Sequence, residues 1–84
     1  MHSITAVKVL KKYLIKITFD DGNKYQFDVQ PYLYGEVFEP LKDGKMFMRV
    51  KVDKDLGTIV WPTGADFCPD ALYQKMKLER KEIA

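Results

Sequence analysis

Residues 4–29 alternate. Tyr13, Ile15, Ile17 and Phe19 share one parity, with Leu14, Lys16 and Thr18 on the other. A period of two in β-branched and aromatic residues marks a half-buried strand, because successive side chains leave opposite faces. Val7 and Val9 repeat the pattern around Lys8, so residues 4–10 and 13–19 form a hairpin joined at Lys11-Lys12. Asp20-Asp21-Gly22-Asn23 supplies the next reversal, with Asp-Gly as the hairpin signal. Tyr25, Phe27 and Val29, alternating with Lys24, Gln26 and Asp28, complete a three-stranded meander.

The period then breaks. Gln30-Pro31-Tyr32-Leu33-Tyr34-Gly35 fits one helical turn, with Pro31 at its first position. Val37, Phe38 and Leu41 have helical spacing, but Pro40 limits that segment to about a turn. After the Asp43-Gly44 turn, Met46, Met48, Val50 and Val52 alternate with Phe47, Arg49 and Lys51, which predicts a fourth strand. Asp53 to Gly57 is a loop. Thr58 to Trp61 is a short fifth strand, stopped by Pro62.

The last element is a helix over about residues 69–81. Pro69 suits the first helical position and Asp70 suits the positive end of the dipole. Leu72, Met76 and Ile83 fall near one face with Tyr73 beside them, opposite Lys75, Lys77, Glu79, Lys81 and Glu82. The sum is an α+β fold: a small antiparallel sheet, built from a meander and two further strands, with a C-terminal helix packed on one face. The other face is left to water or a partner.

At 84 residues the chain has room for one domain, spanning 1–84. A hydrophobic fraction of 46% excludes disorder. The net charge of +2 is too balanced to argue for nucleic acid by itself, and no block of like charges forms an arm or tail. One cysteine excludes an internal disulfide and fits a reducing cytosol. Met1-His2-Ser3-Ile4-Thr5 lacks the basic region and long apolar run of a signal peptide, and no apolar run reaches membrane-spanning length, so the expectation is a cytoplasmic protein with no membrane partner.

Chemistry is sparse. Cys68 lies beside a helix start, where the dipole favours thiolate, but no second cysteine or nearby base supports it. A single Cys and a single His do not make a zinc site, and Asp53 and Asp55 lack the spacing of a calcium loop. Asp20 and Asp21 suit a turn, and Asp66 and Asp70 suit a helix entry. With His2 as the only histidine, no catalytic triad is available, so neither enzyme activity, cofactor nor metal is expected. Two features remain. Lys8, Lys16, Lys24, Gln26, Arg49 and Lys51 fall on the outward parity, with Leu14 and Phe47 among them, and would form one basic sheet face. Tyr32, Tyr34 and Phe38 form an aromatic group in the irregular middle. Solvated lysines that guard a sheet edge account for the first, and a capped core end accounts for the second. An acidic protein partner or single-stranded nucleic acid also fits the basic face.

The densest stretch is Trp61-Pro62-Thr63-Gly64-Ala65-Asp66-Phe67, followed by Pro69-Asp70-Ala71-Leu72-Tyr73. Together with Phe19-Asp20-Asp21-Gly22, Phe27-Asp28-Val29, Pro31-Tyr32-Leu33 and Gly35-Glu36-Val37-Phe38, it resembles the small prokaryotic family called domain of unknown function 2442, over about residues 3–75. Asp21, Gly22, Asp28, Trp61, Pro62, Gly64, Asp66, Pro69 and Tyr73 carry the signature. The resemblance implies a compact α+β domain of a cytoplasmic protein, without established catalytic residues. It also implies one partner of a toxin–antitoxin-like pair. The expected function is therefore a non-enzymatic protein-interaction or regulatory module with a small protein partner, a homodimer and nucleic-acid binding being the alternatives. The interaction candidates are Lys8, Lys16, Lys24, Arg49, Lys51, Phe47, Tyr32 and Tyr34.

Overall fold

The alternation over residues 4–29 becomes an antiparallel meander of β1 (Ile4–Lys11), β2 (Leu14–Phe19) and β3 (Lys24–Asp28), in that order. The computed structural model describes residues 2–83, the last three by backbone alone. Ile15, Ile17, Phe19, Tyr25 and Phe27 all turn inward and are buried, whereas Lys8, Lys24 and Gln26 are exposed. Pairing of Ile17 with Val7 and Tyr25, and of Ile15 with Val9 and Phe27, keeps the apolar parity in register across all three strands. The β1–β2 reversal falls at Lys12-Tyr13, one residue later than expected, with Tyr13 at φ 67°. That conformation disfavours a bulky residue. Tyr13 is held there by its hydroxyl, which donates to the Lys42 carbonyl at 2.6 Å, and by edge contact with Phe47.

The middle of the chain departs from the expected strand over 46–52. Residues Gly44–Phe47 form a short helix, α1, and only Lys51–Asp53 is strand, β4. The Asp43 side chain accepts the Lys45 N–H at 3.0 Å, and the Phe47 and Met48 amides bond back to Asp43 and Gly44. This local cap closes a helical turn before alternation can act, because a side-chain acceptor at the N-cap satisfies otherwise orphaned amides. The result inverts the expected parity. Phe47, expected on the outer face, is 1% exposed, and Met48 is 68% exposed. Short 3-10 turns at Gln30–Tyr32 and Glu39–Lys42 match the one-turn segments expected around Pro31 and Pro40.

β4 pairs with β5 (Thr58–Val60) as a separate two-stranded antiparallel sheet beside β1, where the Ile4 N–H donates to the Gly57 carbonyl at 2.8 Å. The chain then rounds the corner at Trp61. The Trp61 N–H bonds to the Ala65 carbonyl, and the Gly64 N–H returns to the Trp61 carbonyl, with Gly64 at φ 93°. Trp61 is 3% exposed and donates its indole N–H to the Phe47 carbonyl at 2.9 Å. Its ring packs on Phe47 and Phe67, which ties the corner to α1. Asp66 joins the corner through its backbone, bridged to Val60.

The C-terminal helix α2 (Pro69–Ile83) begins as expected: the Cys68 carbonyl accepts the Leu72 N–H. Leu72 and Met76 enter the one hydrophobic cluster with the sheet's inner residues, Phe47 and Trp61. The expected roles of the Lys81, Glu82 and Ile83 side chains, and the domain ends Met1 and Ala84, lie outside the described residues.

Candidate interaction surface

The signature residues are drawn into structure. Asp21 accepts the amide of Asn23 at 2.9 Å, a turn device common to Asp. It also accepts the Tyr73 hydroxyl from α2. Asn23 in turn receives Arg80 Nη1 at 2.9 Å, while Nη2 of the same guanidinium reaches the Lys24 carbonyl at 2.8 Å. His2 stacks on the Tyr73 ring at 3.6 Å, and its backbone N–H donates to Asp70 at 2.7 Å. These bonds fasten the β2–β3 turn and the N-terminal segment to α2. The Tyr73 hydrogen bond, then the Asn23 amide, hold the Asp21 carboxyl at about 2 against an ordinary 3.8. The same bond raises the Tyr73 phenol. Burial, with Glu79 alongside, raises Tyr25. The sequence pointed to Asp21 and Tyr73 separately. Their union across 52 residues had no local signal.

Tyr73 thus turns to Asp21 and not toward Asp66 or Cys68, both of which are exposed. Thr63 is used locally, donating to the Val37 carbonyl at 2.7 Å. Asp28 caps the following turn by accepting the Gln30 N–H at 3.0 Å.

Of the residues expected on one basic face, those on the meander share a face of the sheet. Lys8 sits opposite Lys16, and Lys16 opposite Gln26, in one row across β1, β2 and β3, with Lys24 opposite Thr18 one pair further on. Like charges directly opposite on a sheet destabilise it. Among the described residues the ion pair formed is Lys75–Glu79, and none of them offers these lysines a carboxylate within salt-bridge reach. The remaining members do not join the row. Arg49 lies in the connection after α1, and Lys51 opens β4 opposite Val60 in the second sheet. Phe47 is in the core.

The aromatic middle also divides. Tyr32 packs on Phe27 and Phe67, and Phe38 on Phe67, so both serve the core end. Tyr34 alone projects, at 71% exposure.

Residues 4–77 match the family model described as Protein of unknown function (DUF2442). The chain belongs to this family. No curated protein and no solved structure matches it. The DUF2442 match spans the meander, the Trp61 corner and the start of α2, so the residues that suggested the family are those that fasten these parts together. Among the described residues of this DUF2442 chain, no helix is long and apolar enough to cross a membrane.

Proposed function

We propose that this chain is a non-enzymatic protein-interaction module, one member of a toxin–antitoxin-like pair in a prokaryotic cytoplasm. The observation that carries the interaction reading is the cross-strand row of Lys8 and Lys16 on an uncovered sheet face, without carboxylate partners among the described residues. The arrangement costs sheet stability and is relieved when an acidic surface covers it. Loss of Phe47 from that face removes the aromatic platform that single-stranded nucleic acid would stack on, so a protein partner is favoured. The single thiol suits a reducing compartment. A short open reading frame beside this one would supply the partner.

The test isolates the tagged chain from the organism that encodes it and weighs its complexes by native mass spectrometry. The expected result is a stoichiometric protein partner, lost from the Lys8→Glu/Lys16→Glu/Lys24→Glu variant. Recovery of the bare chain, or of nucleic acid in place of protein, overturns the proposal.

A further inference from the structure

The outer edge of β1 is open where it leaves the second sheet. Phe19 directs its N–H to Asn23, toward the β3 side, and Ile17 and Ile15 share its parity. Thr18 and Lys16 therefore face β1, and Lys8 is the hydrogen-bonded partner of Lys16. It follows that Val7 and Val9 turn their N–H and C=O groups away from β2. The β4–β5 hairpin takes up the Ile4 N–H, but among the described residues β1 is ladder-paired with β2 alone, and no strand pairs with Val7 or Val9 on that outer side. A bare edge of this kind is a template for another strand.

Next to Val9 lies a groove of about 540 Å³ between the end of β1 and α1. Leu10 (38% exposed), Phe47 and Met48 supply its apolar lining. Lys11, Lys12 and Lys45 supply its charge, and its one acid, Asp43, is engaged by the Lys45 amide as the α1 cap. Lysines along an edge guard against self-pairing. Solvent-exposed Leu10 and Met48 beside them do not serve that purpose.

We propose that the open edge of β1 and this groove seat an extended acidic polypeptide segment, which adds to the meander as a fourth strand. The proposal rests on the interaction-module reading and names the place and the chemistry of the partner. Backbone bonds to Val7 and Val9 give affinity, and alternate side chains give specificity. Apolar residues enter between Leu10 and Met48, and carboxylates meet Lys11, Lys12 and Lys45. A second copy of the chain is disfavoured, because antiparallel pairing of two β1 edges through Val7 and Val9 sets Lys8 directly opposite its own equivalent.

The probe is a fluorescein-labelled octapeptide of alternating Glu and Leu, read by anisotropy and by amide exchange of the full chain. Binding is expected, with slowed exchange at Val7 and Val9. N-methylation of alternate peptide amides should weaken it at least ~10-fold by removing the strand bonds. The Lys11→Glu/Lys12→Glu/Lys45→Glu variant should weaken it by a similar ~10-fold, and an alternating Lys and Leu peptide should not bind. Trp61 fluorescence checks that the variant is folded. No binding of the acidic peptide, equal binding of its N-methylated form, or preferential binding of oligothymidylate overturns the inference. So does a dimer of the chain that protects Val7 and Val9 without any peptide. A stoichiometric cellular partner whose footprint falls on Lys16 and Lys24 alone overturns the edge site while leaving the module reading intact.

Discussion

Phe47 separates two incompatible accounts of the middle of the chain. On a strand over 46–52 its side chain faces outward, and truncation to alanine changes stability by no more than about 0.5 kcal/mol. In the structure it is 1% exposed, packs on Trp61 and Tyr13, and its carbonyl receives the Trp61 indole N–H. Deleting a buried phenyl ring removes its transfer free energy and leaves a cavity, about 3–5 kcal/mol together. An 84-residue domain has on the order of 4–13 kcal/mol in total, so Phe47→Ala should lose a large part of its stability. Urea unfolding can be followed by the emission of Trp61, the sole tryptophan, which is buried about 6.1 Å from the Phe47 ring. With a urea slope of about 1 kcal/mol/M, the midpoint should fall by roughly 3 M or more. If Phe47→Ala does not fold, Phe47→Leu, which keeps most of the volume, should still show a loss of about 1 kcal/mol. Met48→Ala at the neighbouring 68% exposed position should leave the midpoint nearly unmoved. Equal, small effects at both positions would refute the helical turn and restore the strand.

The Asp21–Tyr73 bond predicts a pH window. Asp21 is lowered from 3.8 to about 2 in the folded chain, so its contribution is present above pH 4 and is lost as pH falls toward 2. Tyr73 is raised, so its contribution is present below its unfolded pKa near 10 and fades as pH rises through the higher folded value. Tyr73→Phe should flatten both limbs of the urea-midpoint profile, and an unchanged acid limb would count against the bond. Gly57 and Gly64 both have positive φ, but a Cβ at Gly57 would meet Ser3 Oγ at 3.0 Å, whereas at Gly64 it would make ordinary contact with Val37 at 3.8 Å. Gly64→Ala should therefore cost about 1–2 kcal/mol of backbone strain and Gly57→Ala more, the reverse order in urea midpoints being the contrary result.

The meander was readable because its signal is repeated. Three strands of period two agree on one buried face, and Asp21-Gly22 marks a reversal between them. Pro69 and Asp70 marked the start of α2 for an equally local reason. Residues 46–50 depart from the expected strand because an apolar run fits a strand and a helical turn alike, and the Asp43 cap decides between them. The same ambiguity placed Phe47 on the basic face and extended that face to Arg49 and Lys51. The Asp21–Tyr73–Asn23–Arg80 contacts were not readable, since each joins residues at least 50 positions apart.

What remains after the structural assignments directs attention to function. The residues with the most varied chemistry are occupied: Trp61 by Phe47, Asp21 by Tyr73, Thr63 by Val37, Asp28 by Gln30. Their removal would loosen the fold, which gives Trp61, Asp21 and Asp28 of the family signature a structural role. The unoccupied groups are of another kind: lysines on β1, β2 and β3 without carboxylate partners among the described residues, two outward backbone positions at Val7 and Val9, and the exposed side chains of Leu10 and Met48. A protein built only for its own stability gains nothing from placing Lys8 opposite Lys16 beside an open apolar groove. These groups lie on and around one strand, β1, which is in contact with both β2 and the second sheet. A segment bound along β1 would therefore touch the part of the fold that joins the two sheets, and its binding should stabilise the whole domain against urea rather than the edge alone.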